Sequence, residues 1–181
     1  MEKYKNKIGF LVILILLGLL ILFEILFAEI LTPQFLKLTK GTGLLDMTTF
    51  YNPEQAFEMI ENYGPGGRAF YNLIQIVDFF FPIVYTLFFM SLTAYLLKLN
   101  NLIQSRWRFL VFIPLIAGLC DWLENIGIFM MLRMYPRDFG TIAQITNISC
   151  ILKFGGIGIS ILMILLFFIQ RITSIALKNA E

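Results

Sequence analysis

The sequence predicts an all-α integral membrane protein: a four-helix bundle with a short amphipathic helix in the outer loop between spans 1 and 2. Three observations carry this. Of 181 residues, 59% are hydrophobic and 14% charged, against about 45–50% and about 25% in ordinary soluble domains. The excess falls in four blocks, each long enough for the roughly 20 residues that a membrane helix needs. Between the first two blocks lies a segment with helix punctuation of its own.

The spans are read at about 8–31, 69–97, 109–132 and 141–169, forming one membrane domain over 1–181. The second and fourth exceed the minimum length, which implies tilt or turns outside the bilayer. Pro82 and Pro114 are expected to kink their helices. The N-terminal "MEKYKNK" followed by an apolar run also fits a secretory leader, but the run is long and lacks an A-x-A site, so a retained first helix is expected. Lys3, Lys5, Lys7, Lys98, Arg106, Arg108, Arg171 and Lys178 fall on one side of this topology. Lys37, Lys40, Arg68, Arg133 and Arg137 fall on the other. The excess on the first side predicts cytoplasmic termini, and a plasma-membrane location is expected.

The outer loop, about 37 residues from Thr32 to Arg68, is long for a plain connector. Asn52 fits a cap, Pro53 the first helical position and Gln55 a capping box. In a helix over 53–63, Ala56, Phe57, Ile60 and Tyr63 share one side, while Glu54, Glu58 and Glu61 share the other. "GPGG" at 64–67 then ends it. Such a helix lies on the outer surface with its apolar face down, either as a lid over a site or as a connector packed on helix ends.

Charges inside the spans locate the candidate site. A charged side chain at a span's centre costs about 2.5–3.5 kcal/mol on insertion scales, and such groups usually face the bundle interior and pair. Asp78 lies on the second span, Asp121 and Glu124 on the third, and Lys153 on the fourth. Asp121, Glu124 and Asn125 share one helix face by their three- and four-residue spacing. Tyr71, Asp78 and Tyr85, seven apart, share a stripe near which Arg68 and Gln75 also lie. At 1.5 Å per residue, Glu124 falls about 12 Å, Asp78 roughly 13–15 Å, Asp121 about 17 Å and Lys153 about 18 Å below the outer surface. Glu24 of the first span, at a similar level, could join them. Asp78, Asp121, Glu124 and Lys153 are therefore candidate catalytic groups, with Arg68, Tyr71, Tyr85 and Asn125 as candidate ligand-binding groups. Three or four carboxylates against one lysine imply either a protonated acid or a bound cation. The alternative is an ion-pair network that only fixes the register of the bundle.

Other features narrow the function. Histidine is absent, which removes the commonest general base and metal ligand. A metal would have to be oxygen-bound, as magnesium or calcium are; no metal ligand set and no cofactor is assigned. Net charge is +2, and nothing points to nucleic acid. Cys120 and Cys150, in apolar runs, read as buried free thiols. Gly156 and Ser160 have the spacing that permits close helix packing, within the bundle or in a homodimer. "GGIGIS" is no phosphate loop, because it lies within a helical run.

The order Gly67-Arg68, Tyr71, Asp78, Pro82, Tyr85, then Asp121-x-x-Glu124-Asn125, then Lys153 resembles a group of small four-span membrane proteins of unassigned function. The resemblance covers most of the chain after Thr32 and implies a shared site, with no activity attached. The expected function is binding or processing of a lipid-like, amphiphilic ligand, with membrane lipid as partner. In that reading Asp78, Asp121 and Glu124 serve acid–base chemistry, and Lys153 and Arg68 hold an anionic head group. The alternatives are a small proton-coupled transporter acting as a dimer and a non-catalytic membrane assembly subunit.

Overall fold

A computed structural model describes residues 2–178, with side chains for 9–178. Lys3, Lys5 and Lys7, which weigh in the charge bias, lie outside the described side chains. The chain is helical throughout its long elements, and four helical stretches are long and apolar enough to cross a membrane: Gly9–Leu38, Gly64–Leu99, Arg106–Met134 and Gly140–Lys178. This is a multi-pass integral membrane protein.

The first crossing is α1 (Glu2–Ile25), a π-helical turn at Leu26–Leu31, and α2 (Thr32–Leu38), so it runs a full two turns beyond the expected end at Leu31. Thr32-Pro33 does not stop it, because proline is tolerated in the first turn of a helix. Among the described residues only a few of this crossing are buried. It packs mainly against the second crossing. Glu24 and Glu29 are exposed on its far side, so Glu24 does not join the other membrane carboxylates.

In the outer loop, α3 (Pro53–Asn62) forms as its punctuation predicts. Asn52 Oδ1 accepts from the Gln55 amide N–H at 2.8 Å, and Gln55 Oε1 accepts from the Asn52 N–H at 2.9 Å. Ala56 and Ile60 are buried, while Glu54, Glu58 and Glu61 are exposed. The buried face rests on the outer ends of the third and fourth crossings, with the Phe57 ring 5.6 Å from Phe139 and 5.2 Å from Tyr135.

The second crossing is two helices, α4 (Gly64–Asp78) and α5 (Phe81–Leu99). Gly64 takes a left-handed φ of +62°, ending α3, while Pro65 stands in the first turn of the next helix. "GPGG" therefore starts α4 as well as ending α3, and the span begins five residues before the expected Ala69. The interruption at Phe79–Phe80 is more than the kink expected of Pro82. Proline has no N–H to donate to the carbonyl four residues back, which is that of Asp78, and α5 restarts with Pro82 in its first turn. The Phe79 carbonyl beside the interruption accepts from Trp122 Nε1 at 2.9 Å, satisfying a backbone group that lipid cannot.

Pro114 likewise begins a helix instead of bending one. A 3-10 segment at Arg106–Phe112 leads into α6 (Ile113–Met134), in which Pro114 sits in the first turn. The last crossing, α7 (Gly140–Lys178), packs along α6. Two glycines set that approach. A Cβ on Gly156 would stand 2.8 Å from the Ala117 Cβ, and one on Gly127 would collide with Thr146 Oγ1. The Gly156–Ser160 stripe thus serves packing inside this bundle. Gly127→Ala is expected to cost about 1–3 kcal/mol, the usual range for overpacking. Gly158→Ala, which meets open space, should leave thermal unfolding in detergent near the parent value.

Two apolar clusters close the bundle. The outer one joins Phe35, Leu45, Ile60, Tyr63, Tyr71, Ile128 and their neighbours. The inner one joins Leu96, Leu97, Met163 and Phe167. Between them lies a polar layer.

Candidate functional site

Helical spacing turns Glu124 and Asp121 of α6 toward Lys153 of α7. Lys153 Nζ lies 2.5 Å from Glu124 Oε2 and 3.8 Å from Asp121 Oδ1. Tyr85 of α5 donates from its hydroxyl to Asp121 Oδ2 at 2.9 Å. All four side chains are buried, Glu124 completely. Three crossings are thereby tied at one level. Asp78 arrives from the last residue of α4, beside the Asn125 side chain and within electrostatic reach of Asp121 and Lys153. Tyr85, Asp121, Glu124, Asn125, Asp78 and Lys153 are brought together as the spacing implies.

Arg68 and Tyr71 are not. Arg68 donates from Nη1 to the Ile60 carbonyl at 3.0 Å, and its guanidinium sits 4.4 Å from the centre of the Tyr135 ring. It braces α3 at the outer surface and does not reach the charged layer. The Tyr71 hydroxyl accepts from the Leu45 and Asp46 N–H groups at 3.0 and 3.2 Å and donates to Asp46 Oδ1 at 2.9 Å. One ring thus pins a turn of the outer loop. The seven-residue stripe is real, but α4 and α5 are separate helices, so Tyr71 and Tyr85 face different partners.

That pinned turn brings in residues that sequence reasoning missed. The loop does not simply cross the surface. A 3-10 turn at Leu45–Met47 pushes inward, with Leu45 fully buried and Asp46 only 9% exposed. Asp46 comes within electrostatic reach of Asp78, Asp121, Glu124 and Lys153. The Cys150 thiol lies 3.9 Å from the Asp46 carbonyl oxygen and 4.0 Å from that of Thr48, under the turn. Tyr51 follows it in; its buried hydroxyl has no hydrogen-bond partner. Burial, then the neighbouring Glu124 carboxylate, pushes that phenol above its ordinary range. Burial also raises Tyr63, with the Asp46 carboxylate adding to it. The available signal was "LLDM" at 44–47, an acid flanked by large apolar residues where a solvated loop would be polar.

The layer opens sideways. A groove of about 320 Å³ runs between the α4–α5 interruption and α6, lined by Gln75, Ile76, Phe79, Phe80, Asn125, Ile126 and Phe129. Ile76, Phe80 and Ile126 are about half exposed on the lipid-facing side (59%, 55% and 49%). At its inner wall are two amides, Gln75 at 4% and Asn125 at 3% exposure. Neither polar atom of Gln75 has a hydrogen-bond partner; the Asn125 amide approaches the Asp78 side chain without a well-formed hydrogen bond, and Glu124 Oε1 also lacks a partner.

No family model, curated protein or solved structure matches the chain. The site is therefore read from its own chemistry. Among the described residues, no three acidic or thiol side chains converge closely enough to hold a metal ion. The cysteines are both free and buried. What remains is a buried acid-rich layer, a lysine engaged by two of its acids, and unsatisfied amides facing a groove open to lipid.

Proposed function

We propose that this protein binds a lipid-like, amphiphilic ligand, or processes one, at the polar layer, and that the ligand comes sideways from the bilayer through the groove beside the α4–α5 interruption. The observation that carries this reading is the pair of buried, unpartnered amides, Gln75 and Asn125, at the wall of an apolar groove. Buried polar groups are rarely left without partners, since each costs about 1–3 kcal/mol. A polar head group against these amides and a chain along Phe79, Phe80, Ile126 and Phe129 supply what both halves of the groove lack.

A network that only fixed helix register would satisfy its own members, which favours a ligand over a purely structural subunit. The apolar clusters above and below the layer favour lateral access over a path across the membrane. Four crossings put both described ends on one side. The lysine and arginine distribution makes that side cytoplasmic, and a plasma-membrane location is part of the same proposal. The resemblance to small four-span proteins extends the proposal to them.

Trp122 gives a direct test. It stacks on Phe79, ring centres 5.7 Å apart, and the chain has only one other tryptophan, Trp107. In a Trp107→Phe background, reconstituted in phosphatidylcholine nanodiscs, a long-chain alcohol brominated along its chain should quench Trp122 to saturation. Filling the groove with Ile76→Phe and Ile126→Phe should reduce this to the unsaturable quenching of simple partition. Equal, unsaturable quenching in both proteins would remove the proposal.

A further inference from the structure

Resting on the binding reading above, we propose that the head group this site takes carries a protonated nitrogen, making the ligand a cationic, amine-bearing amphiphile. The charges of the layer point there. Four carboxylates, Asp46, Asp78, Asp121 and Glu124, lie in or around it within electrostatic reach, though no three converge on one point. The one lysine within the layer, Lys153, is committed to Glu124 and Asp121. Asp46 is held by the Tyr71 hydroxyl. Among the described residues Asp78 makes no ion pair within 4 Å; it lies beside the Asn125 side chain, next in sequence to Phe79 of the groove and one helical turn from Gln75 on the same helix face.

Arg68 lies over Tyr135, away from the layer, and Arg133, exposed two turns beyond the amides, stands at the groove's outer rim, 4.9 Å from the centre of the Phe129 ring, and not among the buried carboxylates. An ammonium has three donors and no acceptor. The groove wall offers two acceptors, the side-chain oxygens of Gln75 and Asn125, and the buried Asp78 carboxylate stands behind them, beside Asn125 and one helical turn from Gln75. Both of those amide oxygens are without a partner, as are the two amide nitrogens, so it is the surplus of carboxylates over cations that selects a donor head group. An anionic head group would instead meet uncompensated carboxylates in a medium of low dielectric, where like charges repel strongly.

The test compares three probes with the same brominated chain: a primary amine, an alcohol and a carboxylate. Each is read by Trp122 quenching in the Trp107→Phe protein in phosphatidylcholine nanodiscs, with concentrations counted within the membrane. The amine is expected to half-saturate at a concentration at least about tenfold below the alcohol, a difference one desolvated charge contact readily supplies. The carboxylate should not saturate. Asp78→Asn should bring the amine back to the alcohol's value while the alcohol still saturates, which also shows that the variant is folded. Gln75→Leu should lower the amine's advantage without abolishing it. An amine no better than the alcohol in the parent, or an advantage that survives Asp78→Asn, overturns the inference and leaves the groove intact. If none of the three probes saturates, the binding reading itself falls.

Discussion

Lys153→Met should destabilise the protein by about 3–5 kcal/mol, the cost typical of removing one partner from a buried ion pair. The reason is local. Glu124 is fully buried and Asp121 nearly so, and both face the Lys153 ammonium. Without it, two carboxylates remain together in a region of low dielectric, next to Asp46 and Asp78. Adding Glu124→Gln to the same chain should restore part of the loss, because it removes the worst of the uncompensated charge. Thermal or denaturant unfolding in detergent would measure both. A single variant as stable as the parent would mean that the acids are already neutral and that the ion pairs contribute nothing to holding α6 against α7.

Tyr71→Phe should release the inward turn of the outer loop. Its hydroxyl is the acceptor for two buried N–H groups and the donor to the Asp46 carboxylate. Each group orphaned in this way costs about 1–3 kcal/mol. A short loop that loses such contacts opens before the bundle does. Cys150 reports the opening, since its thiol lies beneath the Asp46 and Thr48 carbonyls. In a Cys120→Ser background, maleimide labelling of Cys150 should be several-fold faster in the Tyr71→Phe protein. Unchanged labelling would show that the apolar contacts of Leu44 and Leu45 hold the turn without the tyrosine.

The parts of this molecule that follow from periodicity were legible in the sequence. Four crossings, the capped helix at Pro53–Asn62 and the convergence of Asp121, Glu124 and Lys153 all rest on spacing within single helices, and helical geometry fixes which side chains share a face. What was not legible depends on contacts between distant segments. Asp46 stands in a stretch with no period, and its burial comes from Tyr71, 25 residues further along. The stripe through Tyr71, Asp78 and Tyr85 assumed one continuous helix. Pro82 was visible, but whether it bends a helix or divides it depends on whether something nearby satisfies the freed backbone, and Trp122 of α6 does so. Arg68 lies near the stripe at the outer end of the span, above the site, but a better partner lies away from it, in the Ile60 carbonyl and the Tyr135 face.

The placement of Lys153 on the final crossing also bears on how the chain is made. Asp78, Asp121 and Glu124 all precede in the chain the residue that neutralises two of them. Until the last crossing is in place, each costs about 2.5–3.5 kcal/mol to hold at mid-depth. The last helix works as a closing key. Displaced along its axis by one turn, about 5.4 Å, it would carry its ammonium out of reach of both acids.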